Sequence, residues 1–108
     1  MDYTILEAVE RATGREYMLR QLAEECCELA QAALKLIRAH RDETPMPEGV
    51  ALGHVIEELA DAQVMIDWAY WCLLDDEQGL QCDRIKDAKI NRMADRLLGA
   101  SACGEAWT

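Results

Sequence analysis

Both prolines of the chain, Pro45 and Pro47, stand in one polar segment, His40-Arg-Asp-Glu-Thr-Pro-Met-Pro-Glu-Gly49. Proline removes a backbone donor and ends helices, so confining it to one place predicts one real loop flanked by long uninterrupted helices. The wealth of Ala, Leu and Glu and the absence of Phe favour helix over sheet. The spacing predicts helices over about 4–12, 15–40, 50–76 and 82–98. Thr4-Ile-Leu-Glu7 and Thr13-Gly-Arg-Glu16 match the capping box, in which Thr accepts from a backbone N–H three residues on and Glu reaches back. Gly14 ends the first helix, and Asp75-Asp-Glu-Gln-Gly79 breaks the third from the fourth.

A chain of 108 residues holds one domain with a thin core unless it pairs with a copy of itself. The expected fold is all-α, a helical bundle of about four helices over residues 1–98, with protomers associating as a homodimer or homotetramer. Residues 99–108 have little periodicity and read as a flexible tail. A formal charge of −10 opposes any direct grip on DNA or RNA, so no nucleic-acid partner is expected. Five cysteines without a C-x-x-C pair read as reduced, inert, buried thiols of a cytoplasmic protein. No apolar run reaches the roughly 20 residues that span a bilayer, and no export signal precedes the first helix.

At about 100° per residue, Met18, Leu22, Cys26, Leu29, Ala33 and Leu36 form the apolar stripe of the second helix. Glu25 lies at its edge, with Glu28 and Glu24 further round the same flank. On the third helix the stripe is Leu52, Val55, Leu59, Ile66, Tyr70 and Leu73, with Glu58 on its flank and Asp61 one turn along. Each helix thus presents an acidic pair at i, i+3. If the two flanks meet, four carboxylates surround one point, an arrangement that is repulsive without a cation and suits a hard ion such as Mg²⁺ or Mn²⁺. The alternative at this stage is that the acids are solvated charges on ordinary amphipathic helices.

The pattern Glu24-Glu25-Cys-Cys-Glu28 followed by Glu58-Leu-Ala-Asp61 resembles the MazG-like, all-α NTP pyrophosphohydrolase superfamily. LAEECCELAQAALK and VIEELADAQVMID are similar to that family's two motif helices, and KDAKINRMADRL to its closing basic helix; the likeness covers about residues 18–98 and is closest in style to short stand-alone phage and bacterial members. The resemblance implies hydrolysis of a (deoxy)nucleoside triphosphate between the α and β phosphates, for nucleotide pool control or house-cleaning. It further implies that Glu25, Glu28, Glu58 and Asp61 hold Mg²⁺, with Glu25 and Glu24 as the catalytic candidates, Glu24 holding a further metal or orienting water.

The last helix carries Arg84, Lys86, Lys89, Arg92 and Arg96, and in so acidic a chain Lys86, Lys89, Arg92 and Arg96 are candidates for a phosphate clamp, a role the resemblance supports. Pairing with Asp83, Asp87 and Asp95 is the competing reading. Trp68, Trp71, Val64 and Ala60 lie off the main stripe of the third helix, so that helix is apolar nearly all round and its second face is expected to meet another subunit; base stacking by Trp68 is the alternative. His54, one turn before Glu58, is a candidate for substrate contact or a polar rim residue. The other readings are a related-fold dUTPase or phosphoribosyl-ATP pyrophosphohydrolase, and a noncatalytic acidic helical adaptor. Diiron chemistry is disfavoured because no Glu-x-x-His pair occurs.

Overall fold

The computed structural model describes residues 2–99. These form four helices, with no strand among the described residues: α1 (Tyr3–Thr13), α2 (Arg15–His40), α3 (Glu48–Leu73) and α4 (Asp76–Leu98). Helices α1 to α3 make one compact unit and α4 belongs to another. The expected tail, like Cys103, lies outside the described residues apart from Gly99.

The helix boundaries follow local chemistry that differs from the expected caps. Asp2 caps α1, its carboxylate accepting from the Thr4 N–H at 3.0 Å. Thr13 turns its hydroxyl back onto the Val9 carbonyl at 2.8 Å, so neither expected capping box forms. Gly14 serves both helices: its N–H donates to Glu10 O at 2.7 Å and its carbonyl accepts from Met18 N–H at 3.3 Å. It does so at φ 91°, ψ 166°, a region essentially reserved for glycine. Gly14→Ala is therefore expected to destabilise the protein by about 1–3 kcal/mol in chemical denaturation, through backbone strain alone.

Across the loop, His40 Nδ1 lies 3.0 Å from Glu48 Oε1. Pro47, with φ already fixed near the helical value, offers its carbonyl to the N–H groups of Val50 and Ala51, both at 3.1 Å. Helix α3 consequently starts at Glu48, two residues before the expected position. The expected breaker at Asp75 to Gly79 is instead the start of α4: Asp75 accepts from Gln78 N–H at 2.8 Å while the Gln78 side chain accepts from Asp75 N–H at 3.0 Å. That is a capping box with glutamine in the closing position.

Helices α2 and α3 pack antiparallel. The start of α2 meets the end of α3, where Met18, Met65 and Trp68 join Leu6 of α1 in one buried cluster. The contact is a seam whose members alternate four and three residues apart, as in a coiled coil. On α2 it runs Met18, Leu22, Glu25, Leu29, Ala32, Leu36; on α3 it runs Ala51, Val55, Glu58, Ala62, Met65, Ala69, Cys72, and every member is buried or half-buried. Small residues at Ala32, Ala51 and Ala62 let the helices approach closely, and Met18 is fully buried.

The choice of face on α3 corrects the expected stripe. Leu52, Leu59, Ile66 and Tyr70 are exposed, whereas Trp68 is 4% exposed. Trp68 therefore belongs to the core of its own unit, not to a subunit face or a base-stacking surface. On α2, likewise, Cys26 and Ala33 are exposed. Because α3 is apolar nearly all round, hydrophobic bulk alone selects the leucines, but close packing and the docking of α1 against Trp68 select the other side. The thiols also differ from expectation: Cys26 and Cys27 are exposed, and Cys72 and Cys82 are intermediate.

Candidate metal centre

Two members of the α2/α3 seam are acids. Glu25 and Glu58 occupy positions that the repeat otherwise gives to Leu, Ala and Met, so the fold brings two carboxylates face to face near the middle of its main contact. Asp61, one position before the seam residue Ala62, leans toward them. Glu25, Glu58 and Asp61 each offer an oxygen such that all lie within 4.8 Å of one another. Glu28, one position before the seam residue Leu29, is within hydrogen-bonding reach of both Glu25 and Glu58.

The electrostatics of this arrangement are unfavourable as it stands. Partial burial, then the charges of Glu28, Asp61 and Glu58, push the Glu25 carboxyl above its ordinary range. Glu58 is raised in the same way, by burial first and then by Glu28 and Asp61. One oxygen of Glu25 and one of Glu58 are removed from solvent with no hydrogen-bond partner. Buried acceptors without donors are rare and costly. A hard divalent cation with oxygen ligands answers both the repulsion and the orphaned acceptors, so the donor set fits Mg²⁺ or Mn²⁺.

The seam divides the surface of the pair into two flanks of opposite character. Residues one position after the seam include Leu19, Ala23, Cys26, Ala30 and Ala33 on α2 and Leu52, Ile56, Leu59, Ile66 and Tyr70 on α3, an exposed and mainly apolar layer interrupted by Gln63. Residues one position before it include Gln21, Glu24, Glu28, Gln31, Lys35 and Arg38 on α2 and His54, Glu57 and Asp61 on α3. The metal-type acids therefore open onto a polar flank. At the N-terminal end of α2 this flank is closed by α1, where Trp71 Nε1 donates to Glu7 Oε1 at 3.0 Å and Tyr3 stacks on the Trp71 ring at 4.4 Å between centroids.

On the polar flank Glu28, Gln31, Ala32, Lys35, His54 and Glu58 line a pocket of about 280 Å³. That is just below the usual range of small-molecule sites, and the pocket is open to solvent. His54 thus lines the same pocket as Glu58. Glu24 stays outside the cluster, exposed and accepting from Gln21 Nε2 at 3.4 Å. Gln31 and Lys35 escaped sequence reasoning. Their signal was present, since they follow Glu28 at three and seven residues on one helical face.

On α4, considered by itself, Lys89, Arg92 and Arg96 surround a depression with Met93. Lys86 does not line it. None of these three cations forms an ion pair among the described residues, in contrast to Arg20, which pairs with Glu16 at 2.8 Å on α2. The Cys72 thiol near α1 is pushed up by burial and then by Glu10 and Glu7, which holds it protonated and unreactive. No helix among the described residues is long and apolar enough to cross a membrane. Comparison with protein-family models, with curated proteins and with solved structures finds no match for this chain.

Proposed function

We propose that this chain is a Mg²⁺-dependent nucleoside triphosphate pyrophosphohydrolase, cleaving between the α and β phosphates to give a nucleoside monophosphate and pyrophosphate. The observation that carries the reading is the placement of Glu25 and Glu58 on the core seam, with Asp61 and Glu28 beside them and two buried oxygens unpartnered. Solvated surface acids have no reason to replace apolar residues in a helix contact, whereas ligands held by packing do. The likeness of the motif helices to MazG-like enzymes names the reaction.

In this proposal Glu25, Glu28, Glu58 and Asp61 hold the cation. When bound, it offsets charge developing on the phosphates and acidifies a water. Glu24, exposed on the same flank, orients water or accepts its proton at the solvent side. His54 lines the pocket on the phosphate side, and on α4, taken by itself, Lys89, Arg92 and Arg96 surround a depression of a character that suits a phosphate group. Manganese is the expected substitute metal. The setting is nucleotide pool control or house-cleaning in the cytoplasm.

The exposed apolar layer of Leu52, Ile56, Leu59 and Ile66 is assigned to a second copy of the chain in a dimer or tetramer, since monomers rarely leave so extended an apolar face in water. Light scattering at micromolar concentration should give at least a dimer; a strict monomer would remove this assignment.

The reaction is tested by incubating the protein with Mg²⁺ and a panel of canonical and modified dNTPs and NTPs, including dUTP, and phosphoribosyl-ATP, and following products by ³¹P NMR. Monophosphate and pyrophosphate should appear with the wild type and not with Asp61→Ala, whose helical circular dichroism should persist. Release of orthophosphate instead, or no turnover of any member, would refute the proposed reaction.

A further inference from the structure

The polar flank of α2 changes sign along its length. Glu24 and Glu28 lie beside the carboxylate cluster, Gln31 follows, and Lys35 and Arg38 stand toward the loop. Glu28 and Lys35 are two turns apart, about 10 Å along the axis, and both line the pocket that also contains His54 and Glu58. Lys35 and Arg38 together line a second, smaller hollow of about 150 Å³ with Thr44 and Met46 of the loop. A flexible cationic side chain thus spans from the metal-type acids to the loop.

On a helix surface an acid three or four residues away is the nearest partner a lysine can pair with. Around Lys35 those positions are Gln31, Ala32, Arg38 and Ala39, and Lys35 forms no ion pair among the described residues. In a chain of charge −10, a cation left without a carboxylate beside a four-acid cluster is suited to an anionic ligand that the cluster alone would repel. Such a ligand is a polyphosphate whose metal-facing oxygens meet the acids through a cation and whose far end meets an ammonium.

Resting on the proposed pyrophosphohydrolase reading, we infer that Lys35, with His54 beside it, binds the diphosphate end of the nucleoside triphosphate. The substrate's tail then points along the α2/α3 groove toward the loop between His40 and Glu48, and its nucleoside points the opposite way. Lys35 acts as a binding and orienting residue that withdraws charge from the departing pyrophosphate. It is distinct from the α4 cations, because it belongs to the same pocket as Glu28 and Glu58.

The test is calorimetric and needs no turnover. Mn²⁺ alone, then imidodiphosphate with Mn²⁺, then an α,β-imido deoxynucleoside triphosphate with Mn²⁺ are titrated into wild type, Lys35→Met and Lys35→Arg. All three proteins should take up Mn²⁺ alike. Lys35→Met should bind both phosphate ligands at least roughly tenfold more weakly, the loss expected for one charge-assisted contact, and Lys35→Arg should recover most of it. The nucleotide analogue should bind wild type more tightly than imidodiphosphate does.

Unchanged phosphate affinity in Lys35→Met, with Mn²⁺ uptake intact, would overturn the inference and leave the metal site standing. An analogue that binds no tighter than imidodiphosphate would overturn the assignment to a nucleotide's tail. Absence of Mn²⁺ uptake by wild type would remove both the inference and the reading beneath it.

Discussion

Glu58→Gln is expected to raise the melting temperature of the metal-free protein by several degrees while lowering turnover more than roughly a hundredfold, since even groups that merely support metal ligands matter at that level. The two effects share one cause. Glu58 sits on a seam where Ala51, Val55, Ala62 and Met65 pack, and its carboxylate faces Glu28 and Asp61 with one oxygen buried and unpaired. Glutamine keeps the shape, removes one charge from the cluster and adds a donor for an orphaned carboxylate oxygen, so the apo fold gains. The proposed metal site loses one ligand charge at the same stroke. Stability is measured by thermal melts in excess chelator and turnover by pyrophosphate release. A variant that melts lower than wild type without metal would show that Glu58 is satisfied in the apo protein.

The second large effect is a pH dependence that reverses on adding metal. Glu25 and Glu58 hold their protons above the ordinary carboxylate value of 4.5. Between that value and their raised native values, the folded chain carries more protons than the unfolded one. Stability from this source is fully present below 4.5 and is lost as pH rises through the raised values. Metal-free protein should therefore melt lower at neutral pH than the rest of the fold would allow. Metal binding requires deprotonated ligands, so Mg²⁺ should stabilise most where the apo protein is weakest. At a hundredfold excess over its Kd the gain should be roughly 10 °C or more for a domain of this size. Parallel melting curves with and without Mg²⁺ across this range, with no convergence at acidic pH, would contradict the account.

Much of this organisation is legible in the residues. The prolines delimit the loop, α2 begins and ends at Arg15 and His40 as its spacing predicts, and the acidic pairs are visible at i, i+3. The caps are less so, because Asp2 and Thr4 both offer a side-chain oxygen at the start of α1, and the Thr13 hydroxyl turns back onto Val9 instead of capping α2. Gly14 stands at the α2 N-cap itself, with no side-chain cap. The inner face of α3 is hidden for a different reason. Leucines and isoleucines line one side, and Ala51, Ala62, Met65 and Trp68 the other, so hydrophobicity has no preferred direction around that helix. Both sides of α3 carry the same four and three spacing, so only the packing of α2 and the docking of α1 against Trp68 resolve it. That packing also shows that Glu25 and Glu58 are seam residues, a stronger statement than their being near an apolar edge. Lys35 was missed because a lone lysine on a helix looks solvated until the groove beside it is seen.

The central claim is that these four carboxylates exist to hold a divalent cation, and calorimetric titration of Mn²⁺ into wild type and Asp61→Asn at neutral pH tests it most directly. Wild type should show saturable binding with proton release, and Asp61→Asn should lose it while keeping its helical content. A flat titration of correctly folded wild type, or equal binding by the variant, would contradict the claim.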